Sequence, residues 1–283
     1  MKKEQMHIRD PFVVYEDGKY YLYGTRAANF GRLVAGFDVY VSDDLENWSD
    51  PIPCFDSSRF GLNREVNWAP EVHKYGGKYY MFATFTQENG LRGTYSLRAD
   101  SLLGPFVPNS NGALTPTEWE CLDGTLYVDE NGVPYLVFCH EHTQIIDGAI
   151  CYVQLNDSLD RAQGKVVTLF NASSTGVSDP IWMDHHFVTD GPFMCRSKTG
   201  DLFMIWSTFI KGKYAECIVK FKGGKLGSDF EHMKPLLDND GGHGMIFADG
   251  KQTYLTYHTP NVKGLERPMF RLIEDFGDRL VIL

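Results

Sequence analysis

Three aspartates, Asp10, Asp123 and Asp190, each precede an apolar run, a turn that contains glycine and a second run rich in apolar and aromatic residues. The shared pattern predicts that the three occupy equivalent positions in repeated β-units and converge on one axis. Carboxyl groups held close together shift one another's pKa and can divide acid and base roles. The indicated chemistry is hydrolysis of a glycosidic bond, in which one carboxyl group protonates the leaving oxygen and another activates water or attacks the sugar.

The units that would position these aspartates occur five times in the sequence. Each unit pairs two strand-like runs across a turn such as Asp-Gly, Gly-Gly or Asn-Gly, which is a strong hairpin signal because both residues tolerate positive φ. The spacing is typical of propeller blades with added loops. We therefore predict an all-β, five-bladed β-propeller that forms a single catalytic domain over residues 1–283, with the innermost strands lining a central channel. The units begin near His7, Val66, Cys121, Val188 and Gly241.

The first six residues precede the first unit, and their place in the propeller is open. They are predicted either to be loose or to complete the last blade by pairing with the final strand, residues 279–283. In the second case the two ends of the chain would share one blade.

Composition argues against several other classes of protein. The formal net charge of −10 disfavours a nucleic-acid groove, which needs a basic stripe, and disfavours binding to an anionic membrane surface. No run is long enough to span a bilayer and no N-terminal segment resembles a secretion signal, so we expect a cytoplasmic protein, or a secreted one if a signal has been removed. None of the six cysteines forms a Cys-x-x-Cys pair, and we predict that they are reduced and mostly buried.

Five short motifs along the chain together resemble glycoside hydrolase family 43, in the order and spacing of that family and over nearly the whole sequence. The resemblance implies a five-bladed propeller, an inverting mechanism, and substrates such as α-L-arabinofuranosides or β-D-xylosides. It also implies that Asp10 is the general base and that Asp123 orients the general acid and raises its pKa. The motifs are RDPFVV, WAPEV followed by GGKYYMFAT, LDGTLYVDENG, TDGPF and GGHGMIF.

The identity of the general acid is open, because the family usually has glutamate where this chain has Asp190. Aspartate is shorter by one methylene, and misplacement by about 1 Å can cost ~100-fold in rate. Asp190 remains a candidate if its backbone lies further inward. Glu141, predicted in the returning strand of the third unit, is a second candidate. The third possibility is a site that binds sugar without hydrolysing it.

Aromatic and acidic residues near the inner strands are expected to contact the substrate. Trp68 offers an apolar ring face to a sugar, as do Trp182 and Trp206, although most aromatic residues must belong to the core. Glu71 lies close to the predicted axis, where the competing interpretation is a structural partner for an arginine or a backbone donor.

Basic residues near the ends of the units are further candidates. Arg267 would either reach the site from the last unit, to keep Asp10 ionised or bind a substrate hydroxyl, or pair with Glu266 at the surface. His243 heads the fifth unit and is expected to contact the substrate. In the resembled family a histidine at this place can lie beside a bound cation, so a structural calcium ion near His243 is a further expectation, although calcium takes mainly oxygen ligands. The adjacent histidines at 185–186 are expected to border the pocket, and no metal site is predicted from them.

The sequence as a whole predicts a glycosidase that needs no cofactor and releases a terminal pentose, most of all α-L-arabinofuranose, by single displacement. An inverting enzyme holds its two carboxyl groups about 6.5–9.5 Å apart, which leaves room for the water, whereas about 5 Å indicates a covalent intermediate. The alternatives are a non-catalytic carbohydrate-binding propeller and a glycosidase for another sugar such as galactofuranose. A protein-interaction propeller would instead show a broad exposed face without a carboxylate pocket.

Overall fold

Five four-stranded antiparallel sheets surround a central axis and confirm the predicted five-bladed β-propeller. The structure is a computed structural model that describes residues 1–26, 35–62, 65–181 and 185–283. The first strand of each sheet contacts the first strands of the two neighbouring sheets, and the first strand of the fifth sheet returns to that of the first. The five innermost strands therefore form a closed ring around the axis.

Each blade is built from four consecutive strands, so the blades follow one another along the chain. Blade 1 contains β1 (Ile8–Glu16), β2 (Lys19–Arg26), β3 (Phe37–Ser42) and β4 (Ile52–Phe55). Blade 2 contains β5 (Asn67–Tyr75), β6 (Lys78–Thr86), β7 (Arg92–Ala99) and β8 (Val107–Pro108). Blade 3 contains β9 (Cys121–Val128), β10 (Pro134–His140), β11 (Ala149–Leu155) and β12 (Ala162–Asn171). Blade 4 contains β13 (Asp190–Arg196), β14 (Leu202–Ile210), β15 (Lys213–Phe221) and β16 (Phe230–His232). Blade 5 contains β17 (Gly242–Ala248), β18 (Thr253–Thr259), β19 (Arg267–Asp275) and β20 (Leu280–Ile282).

Helical structure in the described residues is confined to single turns. The helix α1 spans His142–Ile145 and connects β10 to β11. Short 3₁₀ turns span Lys3–Gln5, Ser57–Phe60, Ala172–Thr175 and Lys222–Gly224. The described residues contain no helix that is long and apolar enough to cross a membrane.

The turns predicted from glycine pairs connect the first two strands of every blade. In blade 1, Asp17 and Gly18 both have positive φ, 50° and 77°, which is the backbone of the tightest hairpin turns. The strands that follow the turns are buried over most of their length, so each hairpin presents apolar side chains to both neighbouring blades. The predicted starts of the five units are within two residues of the observed strands.

Apolar side chains between neighbouring blades make up the core. One cluster joins blades 1 and 2, a second joins blades 2 and 3, a third joins blades 3 and 4, and the largest joins blades 4, 5 and 1. Each fully buried Leu or Phe in these clusters contributes roughly 1.5–3 kcal/mol of transfer free energy. Five of the six cysteines are buried in these layers, Cys195 is half-buried, and all are free thiols.

The ring closes without a strand shared between the two ends of the chain, so the predicted places of residues 1–6 are both wrong. The last blade is completed by its own β20, which pairs with β19. The N-terminal residues instead bind the β3–β4 turn of blade 1, where Lys2 bridges to Asn47. Side chains hold blades 1 and 5 together: Tyr20 donates to Asp249 at 2.8 Å, and further contacts come from Arg267.

Arg267 was predicted to bind substrate, and it lies instead at this closing junction. Its guanidinium donates to the carbonyl oxygens of Glu4 at 2.9 Å and Leu265 at 2.8 Å and contacts His7 Nδ1 at 3.0 Å. It does not line the cleft described below. The predicted pair with Glu266 is a bond to the Glu266 carbonyl oxygen rather than to its carboxylate.

We expect Arg267→Ala to lower the stability of the propeller and to leave substrate affinity unchanged. Two contacts between the last blade and the segment before β1, at Glu4 and His7, would be lost, which corresponds to about 1–3 kcal/mol in the free energy of unfolding. Thermal unfolding of this variant, compared with that of Arg279→Ala in an exposed turn, measures the difference. A raised KM with an unchanged melting temperature would return Arg267 to the substrate-binding site.

Candidate active site

The same β-bulge interrupts all five innermost strands close to their first residues. The pairing of the first two strands shifts register in every blade at this point. One residue in each bulge takes the left-handed conformation, in which aspartate and glycine are tolerated better than most residues. The five residues are Asp10 (φ 52°), Ala69 (φ 44°), Asp123 (φ 56°), Gly191 (φ 46°) and His243 (φ 52°).

The sequence pattern had predicted that the three aspartates occupy equivalent positions. The bulges show that this prediction is wrong for Asp190. Asp10 and Asp123 occupy the left-handed position, whereas in blade 4 that position belongs to Gly191. Asp190 lies one residue earlier, in the place that Arg9 takes in blade 1 and Trp68 takes in blade 2. A signal in the sequence could have shown this, because a proline follows the left-handed residue in three blades: Pro11, Pro70 and Pro192.

Side chains of one blade bind the bulge of the next and so set the spacing around the axis. In four of the five junctions the amide of the left-handed residue donates to an acceptor on the second strand of the preceding blade. The acceptors are Thr25 for Ala69 (2.7 Å), Thr84 for Asp123 (3.0 Å), Ser207 for His243 (2.6 Å) and His258 for Asp10 (3.2 Å). In blade 3, Cys139 holds the corresponding position, and the Gly191 amide donates to the Asp123 carboxylate at 3.2 Å instead.

The imidazole of His243 lies at the centre of this ring, between two carboxylates. Its Nδ1 atom is 3.1 Å from Asp10 Oδ1 and 3.8 Å from Asp123 Oδ2. The ring passes over Gly191, where a Cβ atom would meet His243 Cδ2 at 2.6 Å. Burial lowers the pKa of His243, but the carboxylates, Asp10 foremost, outweigh it and raise the pKa to about 9. His243 is therefore a cation at neutral pH.

Asp10 is surrounded by donors that favour its ionised form. Burial alone would raise its pKa, but the positive charges of His243 and Arg9 and a 2.6 Å hydrogen bond from Thr25 lower it below the usual value. The neighbouring His258 is neutral, because burial and the Arg9 charge lower its pKa to about 3. Asp10 is thus a carboxylate throughout the neutral range, as a general base must be.

Asp123 and Asp190 have the opposite character. Burial is the main cause that raises the pKa of each, and the charges of neighbouring carboxylates add to it, while the His243 cation opposes it. Tyr214, itself fully buried, donates to Asp190 Oδ2 at 3.0 Å. Asp190 Oδ1 has no hydrogen-bond partner among the described residues. One carboxyl oxygen of Asp190 is therefore held in place while the other can carry a proton.

Glu141 is placed differently from the prediction. It follows the returning strand β10 and is the N-cap of α1, where its Oε1 accepts the His142 amide at 3.0 Å. Its Oε2 accepts from Arg92 Nη2 at 2.9 Å. Burial raises the pKa of Glu141, and the Arg92 guanidinium opposes that rise. Arg92 also pairs with Glu120.

These side chains open into one cleft of about 360 Å³ at the end of the channel. Trp68 forms part of its wall, and the Arg92 guanidinium lies 5.2 Å from the centre of the indole ring. A larger groove of about 660 Å³ lies between blades 2 and 3 and contains none of the three aspartates. The residues that line the cleft include six of the predicted ones: Asp10, Trp68, Asp123, Glu141, Asp190 and His243.

Several predicted residues lie elsewhere. Glu71 does not line the cleft, and its carboxylate contacts His73 Nε2 at 3.0 Å. The competing interpretation of Glu71 as a structural partner therefore describes it better, with a histidine in place of the expected arginine or backbone donor. Trp206 is fully buried in the core between blades 3 and 4. Trp182 lies outside the described residues. Of the two adjacent histidines, His186 contacts His142 at the cleft wall, with 3.1 Å between their Nδ1 atoms.

Three residues of the site were not predicted from the sequence: Arg9, Arg92 and Tyr214. Arg9 lines the cleft and donates to Glu266 Oε1 at 2.8 Å and to Asn261 Oδ1 at 3.0 Å. It fills the role of a cation near Asp10 that was assigned to Arg267. Arg9 is part of the motif RDPFVV, but neither that motif nor the others indicate the roles of these residues, because their partners lie far away along the chain.

The donor set at the axis does not match that of a metal site. The Nδ1 atom of His243 faces the two carboxylates, so that only Nε2 would be left to contact a cation. Within residues 1–26, 35–62, 65–181 and 185–283 no group of three or more His, Cys, Asp or Glu residues is arranged to hold a metal ion. The calcium ion near His243 stays a prediction.

Comparison with known proteins identifies the family to which this site belongs. The family model described as glycosyl hydrolases family 43 matches residues 5–272. The chain belongs to glycosyl hydrolase family 43. The resemblance of the five motifs is thereby confirmed, and membership of this family implies a carbohydrate substrate.

Solved structures of this family 43 fold superpose on the whole chain. The endo-arabinase from Bacteroides thetaiotaomicron VPI-5482 is 36% identical with a TM-score of 0.90, over 99% of each chain. A thermostable family-43 glycoside hydrolase is 23% identical with a TM-score of 0.83, over 98% of this chain and 92% of its own. An endo-1,4-β-xylanase from the same Bacteroides strain is 20% identical with a TM-score of 0.79, over 100% of this chain and 96% of its own. A comparison with curated protein sequences gave no match.

Proposed function

We propose that this family 43 protein hydrolyses α-L-arabinofuranosyl linkages of plant-type oligo- or polysaccharides with inversion of configuration. The observation that carries the proposal is the opposite electrostatic character of Asp10 and Asp190 in one sugar-sized cleft. The pKa of one carboxyl group is lowered and that of the other is raised, which is the division of roles that acid–base hydrolysis requires.

Asp10 is the general base in this proposal. Its carboxylate takes a proton from a water molecule, which attacks the anomeric carbon as the glycosidic bond breaks. The Arg9 and His243 charges and the Thr25 hydroxyl keep the carboxylate ionised and fixed in orientation. Inversion follows if the water attacks directly, without a covalent bond between the sugar and Asp10.

Asp190 is favoured over Glu141 as the general acid. Both oxygens of Glu141 accept hydrogen bonds from donors, one from the Arg92 guanidinium and one from the His142 amide. Although burial raises the Glu141 pKa, a proton on either oxygen would displace one of these two donors. Asp190 has one oxygen bound to Tyr214 and one without a partner among the described residues. Protonated Asp190 would give its proton to the leaving oxygen.

Asp123 and Glu141 assist the acid in different ways in this proposal. Asp123 accepts the amide of Gly191, the residue after Asp190, and so orients the acid through its backbone. The negative charge of Glu141 raises the pKa of Asp190. The Asp190 proton is therefore retained up to a higher pH than the free side chain would allow.

The choice of arabinofuranose over xylose rests on the endo-arabinase, whose identity of 36% is the highest among the structures compared above. Trp68 and the Arg92 guanidinium behind it provide an aromatic face with a fixed orientation for the sugar ring. The xylan-directed structure is more distant and shares only the fold.

A substrate panel tests the proposal directly. Purified protein is incubated with linear arabinan, arabino-oligosaccharides, xylan, galactan and aryl glycosides of the corresponding sugars, and released sugar is measured with Asp10→Asn as the blank. We expect arabinan-derived substrates to be cleaved fastest, and proton NMR of the first product to show the inverted anomer. No release from any substrate would favour the non-catalytic carbohydrate-binding propeller, and release from xylan or galactan alone would reassign the sugar.

A further inference from the structure

One buried carboxyl group near the axis takes no part in the cleft. Glu216 lies in β15, its side chain has 0% exposure, and it does not line the cleft. Its Oε2 accepts the Gly244 amide at 2.8 Å and the Ser207 hydroxyl at 3.1 Å. Its Oε1 is buried and has no hydrogen-bond partner among the described residues.

Ser207 connects this carboxyl group to His243. The His243 amide donates to Ser207 Oγ at 2.6 Å, and the Ser207 hydroxyl in turn donates to Glu216. Together Ser207 and Glu216 therefore bind the two consecutive amides of the bulge, at His243 and Gly244. These are the two amides that fix the left-handed backbone from which the imidazole extends between the aspartates.

The equivalent bulge of blade 3 is held without a charge. There the Thr84 hydroxyl accepts the Asp123 amide at 3.0 Å and the Thr94 hydroxyl accepts the Gly124 amide at 3.2 Å. A hydroxyl group thus suffices to hold this backbone. A buried carboxyl group with one unsatisfied oxygen is destabilising compared with such a hydroxyl, so its presence at blade 5 points to a role beyond holding the bulge.

We propose that Glu216 is a positioning residue for the reaction, which fixes the His243 imidazole between Asp10 and Asp123 and supplies a buried negative charge behind it. The inference rests on the proposed function, in which the ionised form of Asp10 is the base. Glu216 does not touch the substrate and acts through His243, because its hydrogen bonds reach the cleft only by way of the bulge.

The charges around His243 determine the direction of the effect. Burial raises the pKa of Glu216 to about 7, and the His243 cation opposes that rise. By the same attraction an ionised Glu216 favours the protonated imidazole, and the protonated imidazole lowers the pKa of Asp10. Loss of the Glu216 charge should therefore lower the His243 pKa. The Asp10 pKa should stay in place, because Asp10 titrates below its usual value, where Glu216 is already neutral. The titratable groups that face His243 are Asp10, Glu71, Asp123, Asp190, Glu216 and His258.

The substitution Glu216→Gln tests this role, because glutamine keeps an oxygen acceptor for Gly244 and removes the charge. We expect the His243 ring pKa, followed by histidine NMR and assigned with His243→Gln, to fall by about half a pH unit or more. We expect kcat near neutral pH to fall about 3- to 10-fold as the imidazole loses its fixed position, while the acidic limb of kcat/KM stays in place. Ser207→Ala, which breaks the same connection from the other side, is expected to change both quantities in the same direction.

The matched control is Thr94→Val, which removes the neutral hydroxyl at the corresponding place in blade 2. We expect it to lower the melting temperature without moving the His243 titration or the acidic limb. Glu216→Gln that folds with an unchanged His243 pKa would overturn the proposal. The NMR titration needs no turnover, so a protein that hydrolyses none of the sugars would overturn the proposed function while the titration still decides the role of Glu216.

Discussion

Asp10→Asn is expected to reduce kcat by about 10³-fold, which lies within the range that a general base contributes. The amide has almost the shape of the carboxyl group, so the hydrogen bond with Thr25 and the bulge of β1 should persist. Asparagine also tolerates the left-handed backbone at this position. The variant should therefore fold, bind oligosaccharide and fail to activate water.

Steady-state kinetics on the best substrate of the panel, with calorimetric binding of the same oligosaccharide, separates the two steps. Asp17→Asn is the matched control, because Asp17 follows on the same hairpin, also has positive φ, and is exposed. We expect the control to retain wild-type kcat. Turnover close to wild type in Asp10→Asn would remove this residue from the mechanism.

Asp190→Asn is expected to have the second large effect, and its size should depend on the leaving group. Natural arabinan needs a proton on the departing oxygen, so kcat should fall about 10²- to 10⁴-fold. A nitrophenyl leaving group departs without one, so the defect should shrink with that substrate. The basic limb of the pH–rate profile should disappear in the variant, because that limb reports the deprotonation of the acid.

Glu141→Gln separates the two candidate acids. If Asp190 is the acid, the loss of the Glu141 charge lowers the Asp190 pKa, since that charge raises it in the wild type. The basic limb should then move to lower pH and persist, with only a moderate decrease in kcat. Glu118→Gln, an exposed glutamate before β9, serves as the control. Loss of the basic limb in Glu141→Gln, together with its persistence in Asp190→Asn, would make Glu141 the acid.

The blades could be predicted from the sequence because their signals are local. A pair such as Asn131-Gly132 between apolar runs specifies a hairpin from a few neighbouring residues, and five such hairpins in series specify the architecture. The two carboxylates in left-handed positions, Asp10 and Asp123, were found for the same reason. Each is the third residue of a strand that the hairpin signal had already identified.

The register at the axis could not be counted from the turns, because the hairpins differ in length. The aspartate at the head of each unit aligned Asp190 with Asp10, whereas the bulge aligns Gly191 with Asp10. The prolines after Asp10 and Gly191 would have given the correct alignment. A bulge adds one residue on one strand only, and a shift of one residue changes which side chain faces the axis.

The charged partners of the site were also beyond local patterns. Arg9 binds Glu266 across 257 positions of the sequence, and Arg92 binds Glu141 across 49. Glu216 reads as a single acid within an apolar strand, and its bonds to Ser207 and Gly244 appear only when blades 4 and 5 are adjacent. Such contacts depend on closure of the ring, which no short segment encodes.

Each of the five bulges places one left-handed residue at the same backbone position near the axis. Two of these residues are the aspartates, Asp10 and Asp123, and one is His243. Gly191 has no side chain, which leaves room for the imidazole, and Ala69 carries only a methyl group. The backbone is alike at all five, but four of the positions are coupled, because a side chain at Gly191 would clash with His243 and His243 contacts Asp10 and Asp123. A new catalytic side chain can therefore be added to this scaffold by single substitution at Ala69, the bulge position that carries no functional group.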